Sequence, residues 1–178
     1  MQILNNKPMK KKLLILLFAV IAIQTIKPHT AQAQTAAHEA TVKITGEVTT
    51  PLEINVTELQ KFNQTAVVRK DKDGNDHNFS GVLLTEILQR AGATMGPQLK
   101  GENLTKYLLV EASDGCQVMF ALAELDKSFT DRLIILADKM DNKPLPPADG
   151  PFRIIVQDEK KPARCIKQVT SMRVVFAK

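Results

Sequence analysis

From Thr41 onward the apolar residues of this chain come in short alternating runs, each cut off by a turn-prone residue or pair. Val42 and Ile44 precede Gly46. Leu52, Ile54 and Val56 alternate after Pro51, and Ala66 to Val68 stop at the polar stretch Lys70 to His77, which carries Asp73-Gly74-Asn75. Tyr107 to Val110 and Cys116 to Phe120 flank Asp114-Gly115, Leu133 to Leu136 lead into Asp141-Asn142, and Ile154 to Val156 and Met172 to Phe176 follow. A period of two puts successive side chains on opposite faces of an extended chain, so these runs are expected as strands. The Asp-Gly and Asp-Gly-Asn turns tolerate the positive backbone angles of tight hairpins, which makes the polar stretch the tip of one.

Helical spacing is confined to Val82, Leu83, Ile87, Leu88 and Ala91, with Gly92 where a helix terminus favours a residue lacking Cβ. A helix from about Val82 to Ala91 is expected. Shorter ones are expected at Thr57 to Leu59, capped by the Thr57 hydroxyl, and at Ala121 to Lys127. Many short strands with few helices between them indicate an α+β domain with mixed β-sheets, spanning 41–178.

Ahead of this domain the residue pattern changes. Lys10, Lys11 and Lys12 precede the apolar run Leu13 to Ile23, and Ala31-Gln32-Ala33 follows. The run is far shorter than the roughly 20 residues of a spanning helix. A basic start, an apolar middle and a small-residue end make residues 1–33 a secretory signal peptide, with 34–40 a flexible start. The mature chain is therefore expected to be periplasmic or secreted, with no stable membrane span.

The leader also accounts for the net charge of +5, because it holds five lysines and no acid. The other 145 residues balance 19 bases against 19 acids. No nucleic-acid partner is expected of a body without excess positive charge.

The familiar catalytic signatures (a Gly-rich phosphate loop, HExxH, CxxC or GxSxG) are absent. His38 falls in the flexible start and His77 beside a hairpin turn, both expected as solvated surface residues. Four Asn-x-Ser/Thr triplets, at Asn55, Asn63, Asn78 and Asn103, are read as incidental. The C-terminal third is more informative. Arg153 opens a strand after a Pro-rich turn, and Arg164 and Lys167 share a loop. Such cations suit a small anionic ligand, arginine through its planar fork and lysine as a point charge. On spacing alone, Arg153 could equally pair with a neighbouring carboxylate, with Arg164 and Lys167 decorating a surface turn.

The run Leu136-Ala137…Met140…Pro144-Leu145-Pro146, then Gly150…Arg153…Val156, then Arg164…Ile166-Lys167, resembles the molybdopterin-binding domain of the sulfite oxidase family. So do Gly46-Glu47-Val48…Pro51-Leu52, Gly81-Val82-Leu83-Leu84…Leu88…Ala91-Gly92 and Asp114-Gly115-Cys116. The resemblance runs in consistent order over about residues 42 to 177. It implies a sulfite oxidase-like fold, a molybdopterin cofactor, and cofactor contacts from Arg153, Arg164, Lys167, Cys116 and Asp114.

Departures from the family pattern bear on activity. Catalytic members carry a cysteine ligand to molybdenum in the stretch that is Val67 to Ser80 here, where no cysteine stands. Cys116 replaces a family tyrosine, and Pro162 and Gln168 replace a glycine and a tryptophan. By resemblance Cys116 and Cys165 lie near one pocket. A disulfide, two separate buried thiols, or a functional thiol serving as a displaced metal ligand or redox centre all stay open. Three functions follow: a non-catalytic or altered pterin- or anion-binding module, a molybdopterin-dependent oxidoreductase with a rearranged thiolate site, or a domain recognising a protein partner in the cell envelope.

Overall fold

The computed structural model describes residues 39–177. The expected signal peptide, residues 34–38 of the expected flexible start, and His38 lie outside the described residues. Glu39, at the end of that start, accepts a hydrogen bond from Asn55 Nδ2 at 2.9 Å. Among the described residues no helix is long and apolar enough to cross a membrane.

The strands form two five-stranded sheets. Sheet A contains β1 (Val42–Gly46), β2 (Leu52–Ile54), β5 (Lys106–Ala112), β6 (Gln117–Ala121) and β10 (Val169–Phe176). Its order is β2-β1-β10-β5-β6, with β1 and β10 parallel and the other pairs antiparallel. Sheet B contains β3 (Thr65–Lys70), β4 (Asp76–Leu83), β7 (Ile134–Met140), β8 (Lys143–Pro144) and β9 (Arg153–Val156). Both β8 and β9 pair with β7, whose other neighbour is β4. This is the mixed-sheet α+β architecture expected from the alternating runs.

The period-two pattern sets the packing. On β9, Ile154 and Val156 face the main core with Val42, Ile44, Leu108, Val110, Phe120 and Met172. Ile155 faces the other way, into a smaller cluster with Val67, Phe79, Ile135 and Ala137. Both faces of β9 are therefore buried. Each fully buried Leu or Ile in these clusters contributes about 1.5–3 kcal/mol relative to exposure. Arg153, on the same face as Ile155, is carried inward with the smaller cluster.

Two helical expectations shift at their starts. The helix expected from Val82 begins two residues later, as α2 (Leu84–Arg90), because Val82 and Leu83 pair with Leu136 and Ile135 in the sheet. Its end matches: Gly92 N–H donates to the Gln89 carbonyl and Ala93 N–H to Leu88, closing the terminus in a Schellman arrangement. Gly92 has φ +73°, and a Cβ there would stand 1.8 Å from Thr49 Oγ1, so only glycine fits. In α1 (Val56–Leu59) the cap is Asn55 rather than Thr57: Asn55 Oδ1 accepts from Glu58 N–H at 2.7 Å. Leu122–Leu125, within the stretch expected as a third helix, is a single 3-10 turn. The Asp141-Asn142 turn joins β7 to β8 with φ of 51° and 62°, the left-handed pair of a tight hairpin.

Candidate functional site

Hairpin β3–β4 curls toward β9, and its turn brings Asp71 to Arg153. The Arg153 guanidinium is fully buried. Its Nη1 and Nη2 each donate to one oxygen of Asp71 at 2.8 Å, and Nη1 also donates to Asp149 Oδ2 at 2.9 Å. The Phe79 ring lies 5.2 Å from the guanidinium carbon. Asp149 also receives the Lys167 ammonium, so Arg153 and Lys167 are joined through one carboxylate. The hydrogen bonds from Arg153 hold the Asp71 carboxyl down at about 2.

Arg164 lies apart from this pair. Its Nε donates to Glu159 at 2.7 Å, its Nη1 reaches both Glu124 oxygens at 3.1 Å, and its carbon stands 4.7 Å from the Phe120 ring centre. Of the three expected ligand-facing cations, the structure links Arg153 with Lys167 and places Arg164 elsewhere. Both arginines are met by two carboxylates of the chain itself. This is the pairing that spacing left open for Arg153, and it extends to Arg164.

Between the β5–β6 turn and residues 162–168 runs an open groove of about 460 Å³, walled by Lys72, Asp114, Cys116, Cys165 and Lys167 among others. The two cysteines thus share one groove as the resemblance implied, and both are free thiols. Cys165 is buried, and burial pushes its thiol up despite the opposing pull of the Val156 amide and of Arg69 and Arg153. Cys116 is exposed; its Sγ donates to Asp114 Oδ2 at 3.3 Å, which also raises its pKa. Neither environment favours a thiolate. Among the described residues no group of three or more His, Cys, Asp or Glu is placed to hold a metal ion.

His77 lies at the surface as expected, but half-buried and held between two carboxylates rather than free in solvent. Its Nδ1 bonds Asp141 Oδ2 at 2.6 Å and its Nε2 bonds Asp73 Oδ2 at 2.8 Å, and these two carboxylates hold its pKa up at about 9. It braces the β3–β4 hairpin against the β7–β8 turn.

The sequence reading missed Arg69, Asp71 and Asp149. A second groove, of about 550 Å³, lies between the β3–β4 turn and residues 158–162 and includes Arg69, Lys70, Lys72 and Lys160. Arg69 was detectable: it alternates with the buried Val67 on β3 and so shares its inward face.

A model of the oxidoreductase molybdopterin binding domain matches residues 70–177. The chain belongs to that family. No curated protein sequence matches it. Among solved structures it is similar to the sulfane dehydrogenase SoxCD from Paracoccus pantotrophus, with a TM-score of 0.58 and 17% identity. That superposition covers 78% of this chain and 38% of that one, so this chain spans well under half of its neighbour's length. At such identity the likeness shows the fold alone, and it is the sulfite oxidase-like molybdopterin-binding fold. The oxidoreductase molybdopterin-binding domain family implies a molybdopterin cofactor for its members. In this member the matched region begins at Lys70 and takes in Asp71, Asp149, Arg153 and the groove that holds both cysteines, while Arg69 of the second groove stands just ahead of it.

Proposed function

We propose that this chain is an exported member of the family that holds an anionic ligand and performs no molybdenum chemistry. The observation that argues against molybdenum chemistry is the saturation of Arg153 and Arg164; the anionic ligand is assigned instead to the groove walled by Arg69, which meets no carboxylate among the described residues. A cofactor phosphate needs open guanidinium forks, and the Arg153 and Arg164 forks are each occupied by two carboxylates. Opening the buried Arg153 fork would leave Asp71 without its counter-charge, at a cost of several kcal/mol.

The thiols argue the same way. Val67 to Ser80 holds no cysteine, and burial at Cys165 and the Asp114 bond at Cys116 both favour the protonated form. The residues present do not fit a molybdenum-bearing pterin. Export rests on the basic, apolar and small-residue order of the leader.

Expression of the full chain in molybdate-fed cells tests this. Mass spectrometry and metal analysis of the periplasmic fraction should find a chain beginning at Gln34, with two thiols and no stoichiometric molybdenum. One molybdenum per chain overturns the reading.

A further inference from the structure

Arg69 is 7% exposed, yet it makes a single hydrogen bond, from Nη1 to the Val156 carbonyl at 2.7 Å. Its Nε is buried without a partner, and among the described residues no carboxylate lies within ion-pair distance of it. A buried charge normally has a counter-charge, because leaving water uncompensated is expensive. The two other arginines withdrawn from solvent, Arg153 and Arg164, each have two. Arg69 is the exception, and it walls the open groove between the β3–β4 turn and residues 158–162.

The charges around that groove do not cancel. Asp71 is taken by Arg153, and Glu159 is held by Arg164 at 2.7 Å although its second oxygen has no partner. Asp76 and Asp158 stand uncommitted against Arg69, Lys70, Lys72 and Lys160, none of which forms a salt bridge among the described residues. Because Arg164 is shared between Glu159 and Glu124, Glu159 is not fully cancelled, and three acids oppose four bases, a balance of one positive charge. We infer that this groove binds a small tetrahedral oxyanion of the phosphate class, seated on the Arg69 guanidinium with the lysines closing around it. Arg69 supplies unused, directionally fixed donors, and the lysines add mobile positive charge. This deepens the binding-module reading and rests on it.

The test is titration of the mature chain in phosphate-free buffer, with chloride fixing the ionic strength and backbone amide NMR reading binding. One arm uses inorganic phosphate and the other glycerol phosphate, so tighter binding of the ester identifies an organic phosphate as the source. The amides of β3 and of residues 157–161 should shift saturably in both arms. Arg69→Gln should weaken binding about tenfold, the loss of one charge-assisted hydrogen bond. Because that buried substitution could unfold the chain, Lys72→Ala with Lys160→Ala, both exposed, provides the second variant and should also weaken binding. Arg132→Ala, outside the groove, should bind as the parent does. Absence of saturable shifts, or unchanged affinity in the double lysine variant, overturns the assignment. Stoichiometric molybdenum would overturn the preceding reading; a metal-free chain that ignores phosphate overturns this one alone.

Discussion

Arg153 and Asp71, 82 positions apart, meet fork to fork with both nitrogen–oxygen distances at 2.8 Å. The pair ties the β3–β4 turn to the first residue of β9, with a fully buried guanidinium at its centre. Its worth lies less in the attraction than in the penalty for losing one side. Asp71→Asn should lower stability by about 3 kcal/mol, the lower end for breaking a buried pair, since Asp149 still holds Arg153. Replacing Arg153 by Met and Asp71 by Leu together should restore much of the loss. Urea unfolding measures both, and a single Asp71→Asn change costing under about 1 kcal/mol would show that the pair does not hold the turn to β9.

The dependence of stability on pH has two limbs of opposite sign. Asp71 is held down at about 2 by Arg153, and Asp73 at about 2 by His77. A depressed carboxylate pKa stabilises the fold above the unfolded value near 3.8, and that contribution is lost as pH falls toward 2. His77 is held up at about 9 by Asp141 and Asp73. Its contribution is complete below about 6.5 and disappears as pH rises through 9. The His77 imidazole should titrate near 9 by NMR. His77→Gln should flatten the alkaline limb and leave the Asp71 part of the acid limb. A midpoint near 6.5 would mean that the two carboxylates do not clamp the ring in solution.

The thiols should react unequally. Native chain treated with iodoacetamide at neutral pH should gain one adduct, at Cys116, and a second only in denaturant, because Cys165 is buried. Asp114→Asn should speed the first reaction, since Asp114 holds the Cys116 thiol above its usual pKa. Intact mass after alkylation reads both results. Failure of either cysteine to react even when unfolded would reveal a disulfide.

Gly81 sits where β4 crosses close to β7, at an irregularity in their register. A Cβ there would lie 2.1 Å from the Leu136 carbonyl oxygen and 2.5 Å from Ala137 Cα, both backbone atoms that cannot rotate aside. Gly81→Ala should destabilise the chain by ~3 kcal/mol or more, overpacking that would part the strands at the centre of sheet B. A thermal midpoint within a few degrees of the parent would refute the close approach.

The strands and turns were legible because alternation and turn chemistry are local. Val42 with Ile44, Tyr107 to Val110 and Asp141-Asn142 declare themselves within a few residues. Helix α2 was legible at its Gly92 end and not at its start, since Val82 and Leu83 answer to partners on β7 some 50 positions away. The ion pairs were hidden for the same reason. Nothing near Arg153 announces Asp71, 82 positions away, and nothing near Arg164 announces Glu124, 40 positions away, because these pairings exist only once the strands between them have packed. Family motifs located the right third of the chain, but they could not say which cations the protein keeps for its own carboxylates.

The strand at the middle of sheet A is the last in sequence. Until Val169–Phe176 leaves the ribosome, β1 has only the three-residue β2 to pair with, and β5 has one bare edge. Sheet A therefore closes only through contacts that reach across most of the described residues, the kind of pairing that forms slowly. That makes the eight-residue β10 the latch that fastens the two halves of sheet A to each other.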